Sequence, residues 1–195
     1  MIPTLRTLTL ADLPVALALI DGYVATERFV AERSEAHDAV AITLRREVLA
    51  TPYVKLYDPL DRETLTHYLA VPAHGYSVAA FLGAACVGFA LAEPRAWNGS
   101  LWLHEFHVAA EHRRHGVGRR LMNTVFDSAR EAGLRCVACE TQTTNVPAID
   151  FYSRMGFRVD GIDVAFYTND DLSGGEVAVF MRAPVGDRPS MAPRT

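Results

Sequence analysis

The sequence predicts an α+β fold: an antiparallel meander, then a strand-helix-strand-helix-strand run, forming a mixed sheet with helices on both faces. Two observations carry this prediction. Three apolar runs between residues 76 and 108 are separated by short turn signals, which is the pattern of consecutive strands. From residue 117 onward, apolar residues recur at helical spacing and alternate with short strand-like runs.

Taken in order, the first fifty residues read as helical. Asp12 can cap a helix with Pro14 in its first turn, Gly22 interrupts it, and a second helical stretch covers Glu35 to Ala50. A short helix is expected around Arg62 to Leu69. Tyr76 to Leu82 and Cys86 to Glu93 are strands joined through Gly83-Ala84-Ala85, and Asn98-Gly99 turns the chain into a third strand, Leu101 to Val108. Val117, Leu121, Met122, Val125, Phe126 and Ala129 mark one helix face, stopped by Gly133. Cys136 to Gln142 follows as a buried strand. Asn145 and Pro147 then open a helix that ends at Gly156, before strands at Phe157 to Asp163 and Glu176 to Met181. The organisation is one domain over residues 1–183, with a helical N-terminal part over 1–53, and a disordered tail over 184–195, where prolines replace large apolar residues.

Composition narrows the function. The net charge of −4 argues against a nucleic-acid partner, and no apolar run approaches the ~20 residues needed to span a bilayer. A chain of 195 residues buries enough surface to fold without disulfides. Cys86, Cys136 and Cys139 cannot all pair, and no secretory segment is recognisable, so a reducing cytoplasm is the expected setting.

Chemistry concentrates between the third strand and its helix, in Arg113-Arg114-His115-Gly116-Val117-Gly118-Arg119. Glycines at a helix mouth let the backbone approach a ligand, and the free amides and dipole of the first turn favour an anion. Four arginines, Arg113, Arg114, Arg119 and Arg120, add positive charge, so a phosphate or pyrophosphate suits the loop, although a glycine turn with solvated arginines would look the same. A P-loop is excluded because the single lysine, Lys55, is far away. A dinucleotide loop fits poorly, since position 121 is Leu and seven residues separate Val108 from Gly116.

Arg113-x-x-Gly116-x-Gly118 resembles the acyl-CoA signature of the GNAT superfamily of N-acetyltransferases. Glu140-Thr141-Gln142-x-x-Asn145-x-x-Ala148-x-x-Phe151-Tyr152-x-x-x-Gly156-Phe157 resembles that family's second cofactor segment, in the right order and about thirty residues on. Trp97-Asn98, Gly161-x-Asp163-x-x-x-Tyr167 and Glu176-Val177-Ala178 are similar to the streptothricin acetyltransferase branch, over residues 54–183. Two positions depart from that branch: its acidic pair on the third strand reads His104-Glu105 here, and the last strand ends Phe180-Met181-Arg182.

The resemblance implies a GNAT-like sheet and direct attack of an amine on the thioester of acetyl-CoA, the co-substrate. An alkyl amine near pKa 10.4 is only about one part in 2,500 neutral at pH 7, so a base must take its proton. Glu105 and Glu140 are the candidates, each with a structural ion pair as its alternative role. Tyr152 matches the family's proton donor to the leaving thiolate. Phe106, His107 and Val108 would meet the pantetheine through their backbone, while Arg113, Arg114, His115, Gly116, Val117, Gly118 and Arg119 would hold the pyrophosphate. Asn145 would contact the cofactor arm, or cap its helix, or both. Trp97, Asp163 and Tyr167 are the candidate acceptor-binding residues, with Asp170, Asp171 and Glu176 adding acidity for a cationic amine.

No metal is expected. Strand alternation separates the histidines of His104-Glu105-Phe106-His107, and the same objection applies to Cys136-x-x-Cys139. The leading expectation is N-acetylation of a small cationic amine such as a streptothricin-like antibiotic. The same chemistry on a protein N-terminus, a lysine or a polyamine is an alternative, as is a non-catalytic acyl-CoA-binding module. Many relatives are dimers, so a homodimer is compatible with the resemblance.

Overall fold

The computed structural model describes residues 2–186. Its contacts divide the described residues into two compact units, one of residues 2–20, 59–138 and 183–186, the other of residues 21–58 and 139–182.

In the first unit, strands β1 (Thr4–Thr7), β4 (Val78–Leu82), β5 (Ala85–Arg95) and β6 (Ser100–Val108) pair antiparallel in the spatial order β1-β4-β5-β6. This is the expected meander with an N-terminal strand added at its edge. Helices α1 (Leu13–Leu17), α2 (Arg62–Ala70) and α3 (Val117–Glu131) complete the unit. Alternation along β5 sends Phe89 and Leu91 into a cluster with Leu13 and Ala16 of α1, Tyr68 of α2, and Leu8. Gly88, of opposite parity, faces Leu121 of α3. Helices therefore cover both faces of this part of the sheet. The apolar stripe of α3 is the expected one, with Val117, Leu121, Met122, Val125, Phe126 and Ala129 all buried. Each such large side chain contributes about 1.5–3 kcal/mol of transfer free energy.

Of the helical reading of residues 1–53, only α1 is observed, opened as expected by Asp12 and Pro14; β1 and the second unit correct the rest. Residues 22–56 form a long antiparallel hairpin, β2 (Gly22–Ala36) and β3 (Ala39–Leu56), and the expected helix over Glu35 to Ala50 is its far turn and outer strand. Val40, Ile42 and Leu44 alternate with period two, and β-branched residues recur through the segment, which suits a pleated strand better than a helix. The ladder is interrupted where Ala25 pairs with Tyr53 but Glu27 pairs with Val48. Pro52, which has no N–H to donate, lies inside that irregularity. Ion pairs join the two strands, Arg28 to Glu47 at 2.6 Å and Arg46 to Glu27 at 2.5 Å.

The unit also contains α4 (Val146–Arg154), α5 (Asp171–Gly174) and the antiparallel pair β8 (Arg158–Asp163) with β9 (Ala178–Pro184). Strand β7 (Cys136–Gln142), in which the boundary between the units falls, has the expected limits. The expected disordered tail begins too early: Pro184 closes β9, and Val185 is buried with its N–H donating to the Arg135 carbonyl at 3.0 Å. The rest of that tail, from residue 187, lies outside the described residues. All three cysteines are free. Among the described residues, no helix is long and apolar enough to cross a membrane.

Candidate active site

The glycine loop of the first unit folds as its residue types demand. After β6, a short 3-10 turn spans Ala110–His112, Arg114 adopts φ 63° and Gly116 φ 83°, and α3 begins at Val117. A Cβ on Gly116 would meet nothing within 4 Å, so the left-handed backbone, not space, calls for glycine there. The Arg120 N–H donates to the Gly116 carbonyl at 3.1 Å, the first bond of the helix. The amides of Val117, Gly118 and Arg119 precede it and lack intrahelical acceptors, at the positive end of a fifteen-residue dipole. Arg113, Arg114, His115 and Arg119 are exposed around this mouth. The Arg113 Nε folds back onto the Val108 carbonyl at 2.8 Å, while Arg120 turns away to the Pro3 carbonyl at 2.8 Å.

Upstream on β6, Phe106, His107 and Val108 lie opposite Ala90, Phe89 and Gly88. Gly88 is a close-packed position, since a Cβ would stand 2.9 Å from the His107 carbonyl oxygen and 3.1 Å from Leu121 Cδ1. Glu105 is half-buried and gripped from two sides, accepting from the Tyr68 hydroxyl at 2.7 Å and meeting His107 Nε2 at 2.7 Å.

The register explains why these groups gather. Leu91 pairs with Glu105 but Ala92 with Leu103, so His104 has no opposite residue and β6 carries a bulge. The bulge overrides the strict alternation expected for this strand: Tyr68 touches both His104, ring to ring at 5.7 Å, and its neighbour Glu105. The two histidines nevertheless engage different carboxylates, His104 meeting Glu93 at 2.9 Å and His107 meeting Glu105. Trp97 is not brought to this group. It is 83% exposed in the β5–β6 turn, roughly 17 Å of strand from Glu105 at about 3.3 Å per residue.

In the second unit, Glu140 of β7 is met by the hydroxyl of Tyr167. Burial and the Glu140 charge push the Tyr167 hydroxyl well above its ordinary pKa, so it stays protonated and donates. Asp171 anchors the Tyr167 loop, its buried carboxylate accepting from the N–H groups of Tyr167 and Thr168 at 2.7 Å each. Burial works against the charge, but these bonds outweigh it and hold Asp171 below the usual carboxylate range. Asp163 shapes the same loop by accepting from the Ala165 N–H at 3.0 Å. Asp163 and Asp171 thus organise the backbone around Tyr167.

Asn145 caps α4, its Oδ1 accepting from the Ala148 N–H at 3.2 Å. Tyr152 lies in the last turn of that helix, buried, with its ring 5.2 Å from Phe157. Glu176 is held by residues that the helical reading of the N-terminal part concealed. Lys55 Nζ donates to it at 2.6 Å, the Tyr53 hydroxyl at 3.3 Å and the Thr144 hydroxyl at 3.0 Å, with Tyr23 donating in turn to Thr144 at 2.6 Å. Among the described residues, the Gln142 Oε1 is a buried acceptor with no hydrogen-bond donor.

The sequence pattern of the Acetyltransferase (GNAT) family matches residues 43–157. Streptothricin acetyltransferase of Streptomyces lavendulae is 42% identical over 97 residues, covering 50% of this chain and 51% of that protein. Streptothricin acetyltransferase A of Bacillus subtilis is 31% identical over 84 residues, covering 43% of this chain and 48% of that protein. The chain thus spans about half the length of the curated relatives it matches. Among solved structures, nourseothricin acetyltransferase superposes with TM-score 0.75 at 30% identity, covering 95% of this chain and 99% of that one. A Bacillus anthracis protein solved in complex with acetyl coenzyme A superposes with TM-score 0.71 at 25% identity, covering 93% and 99%. With the family pattern spanning more than half of its residues and the α+β architecture shared along almost its whole length, the chain belongs to the GNAT acetyltransferase family.

Proposed function

We propose that the protein is an acetyl-CoA-dependent N-acetyltransferase acting on a primary amine of a small cationic substrate, with a streptothricin-like compound as its acceptor. The observation that carries this is the Arg113–Gly118 loop, whose left-handed Gly116 presents the open amides of α3 for an anion. The names of the relatives support the acceptor class. Three free cysteines suit a reducing, cytoplasmic setting.

Acetyl-CoA supplies the activated acetyl thioester. The chain's own residues then have three tasks. The amides of Val117, Gly118 and Arg119, with Arg113, Arg114 and His115, hold the pyrophosphate, and the backbone of Phe106 to Val108 aligns the arm. Glu105 takes the proton of the attacking amine, directly or through water, while Tyr68 and His107 fix its orientation. Tyr152 returns a proton to the departing sulfur, and Asn145 fixes the start of its helix. Glu140, Tyr167 and the open Gln142 acceptor suit recognition of a cationic amine, since each presents charge or a lone pair.

Thiol release from acetyl-CoA across a panel of amines, streptothricin included, tests the reading. Turnover should appear with a cationic primary amine and fall at least about 100-fold in Tyr152→Phe. Tight CoA binding without turnover on any amine would make the protein an acyl-CoA-binding module instead. A Gly118→Glu variant should lose CoA binding while keeping its fold.

A further inference from the structure

Three donor atoms from separate elements of the first unit converge on one point: His67 Nε2 of α2, Glu93 Oε1 of β5 and His104 Nε2 of β6. They stand 3.4 Å apart for His67 and His104, 2.9 Å for His104 and Glu93, and 3.5 Å for His67 and Glu93. A tetrahedral ion with bonds of about 2.0–2.1 Å keeps its ligand atoms about 3.3–3.4 Å apart. Two of the three spacings match that value, and the third, His104 to Glu93, is about 0.4 Å shorter.

Each Nε2 carries at most one hydrogen and the carboxylate oxygen carries none. Both rings can donate to Glu93; with both Nε2 atoms bare, the three lone pairs instead converge on one point. A cation at the centre would be met by all three lone pairs at once.

The surroundings suit such an ion. His104 and Glu93 are mostly buried, with side chains 14% and 19% exposed, whereas His67 is 46% exposed and opens on a surface cavity that Arg62, Glu63 and Thr66 also line. That side offers an entry path and room for a water. His74 Nε2, 3.9 Å from the other Glu93 oxygen, can orient the carboxylate. His104 is the unpaired residue of the β6 bulge, and its ring is braced by Tyr68. Two imidazoles with one carboxylate favour a transition metal over magnesium or calcium, which prefer all-oxygen shells. No local motif announces this set, because its members are separated by 26 and 11 residues.

We propose that His67, Glu93 and His104 form a binding site for a divalent transition-metal ion of the zinc class, with the remaining position filled by water. The proposal does not depend on the acyl-transfer reading. The test is a zinc titration of the untagged full chain against a chromophoric chelator, with cobalt as a spectroscopic substitute. One equivalent of zinc should bind, and cobalt should give the intense visible bands of a tetrahedral site. His67→Ala, Glu93→Gln and His104→Ala should each weaken zinc by more than the ~10–100-fold typical of losing an outer-shell partner. His37→Ala, at the tip of the β2–β3 hairpin, should change nothing. His67 is largely exposed on α2, so its variant keeps the fold and its result stands even if His104→Ala does not fold. Failure to bind one equivalent, affinity in His67→Ala equal to that of the unmodified chain, or an octahedral cobalt spectrum would each overturn the site.

Discussion

Glu105 and Glu140 are both strand carboxylates beside a tyrosine hydroxyl, yet they are held in different ways. Glu105 sits on a strand backed by a fully buried core, and its partners, Tyr68 and His107, come from a helix and from the same strand. Tyr68 is itself part of that core, so it cannot move without disturbing Phe89 and Leu91. Glu140 is met by Tyr167, which belongs to a loop whose shape depends on carboxylate-to-amide bonds at Asp171 and Asp163. A group braced by packing keeps one orientation, whereas a group met by a loop can follow what the loop meets. The first arrangement suits proton transfer, which needs fixed geometry, and the second suits recognition of a variable acceptor.

The largest expected effect separates these roles directly. Glu105→Gln should lower kcat by about 10²–10⁴-fold, the range of a lost general base, while Glu140→Gln should act mainly on the KM of the amine. Steady-state kinetics with saturating acetyl-CoA decides the matter, and the opposite ranking would exchange the two assignments. Next comes the difference in backing. Leu121→Ala, in the buried face of α3, should cost about 2–5 kcal/mol in urea unfolding, whereas Val48→Ala on the exposed outer hairpin should stay within about 0.5 kcal/mol. Equal losses at the two sites would remove the contrast between a packed and a loosely backed region.

A smaller effect probes the Tyr68 brace. Tyr68 is one of the two groups that hold the Glu105 carboxylate, so Tyr68→Phe should lower kcat by about 5-fold, the equivalent of a lost hydrogen bond of ~1 kcal/mol and far less than Glu105→Gln. Tyr167→Phe should leave kcat in place and act on the KM of the amine. The smallest effect lies at Asp12, whose carboxylate takes both Arg6 nitrogens, at 2.6 and 2.7 Å, and the Thr9 N–H at 2.9 Å. These bonds, the Arg6 contact foremost, hold Asp12 well below its ordinary range. A depressed carboxylate stabilises the fold above the unfolded value near pH 4, and that stability is lost as pH falls through the folded value. Urea midpoints measured from pH 6 downward should therefore decline less steeply in Asp12→Asn.

Legibility followed locality. Cys136 to Gln142 was readable as a strand because its apolar run is bounded by turn signals on both sides, and the observed strand has the same ends. Asn145 was readable as a cap because capping is decided within three residues, and it does accept from the Ala148 N–H. The hairpin over residues 22–56 was missed because its strands carry charges at many positions, and their ion pairs exist only once residues such as Arg28 and Glu47 are brought opposite each other. The His104 bulge was invisible for a related reason. Whether a strand residue lacks an opposite number depends on the register of the neighbouring strand, not on its own neighbours in sequence.

By itself, then, the sequence determined the meander, the amphipathic α3 and the Gly116 turn into it, because hydrophobic period and a left-handed φ are properties of short segments. It also displayed the Arg113–Gly118 and Glu140–Phe157 segments through which the family was recognisable. Tertiary structure decided which carboxylate is braced, which acids merely shape a loop, and that His67, Glu93 and His104 share one point. Those outcomes require side chains from distant segments to meet within a few ångströms, and only the packing of helix on sheet brings them there.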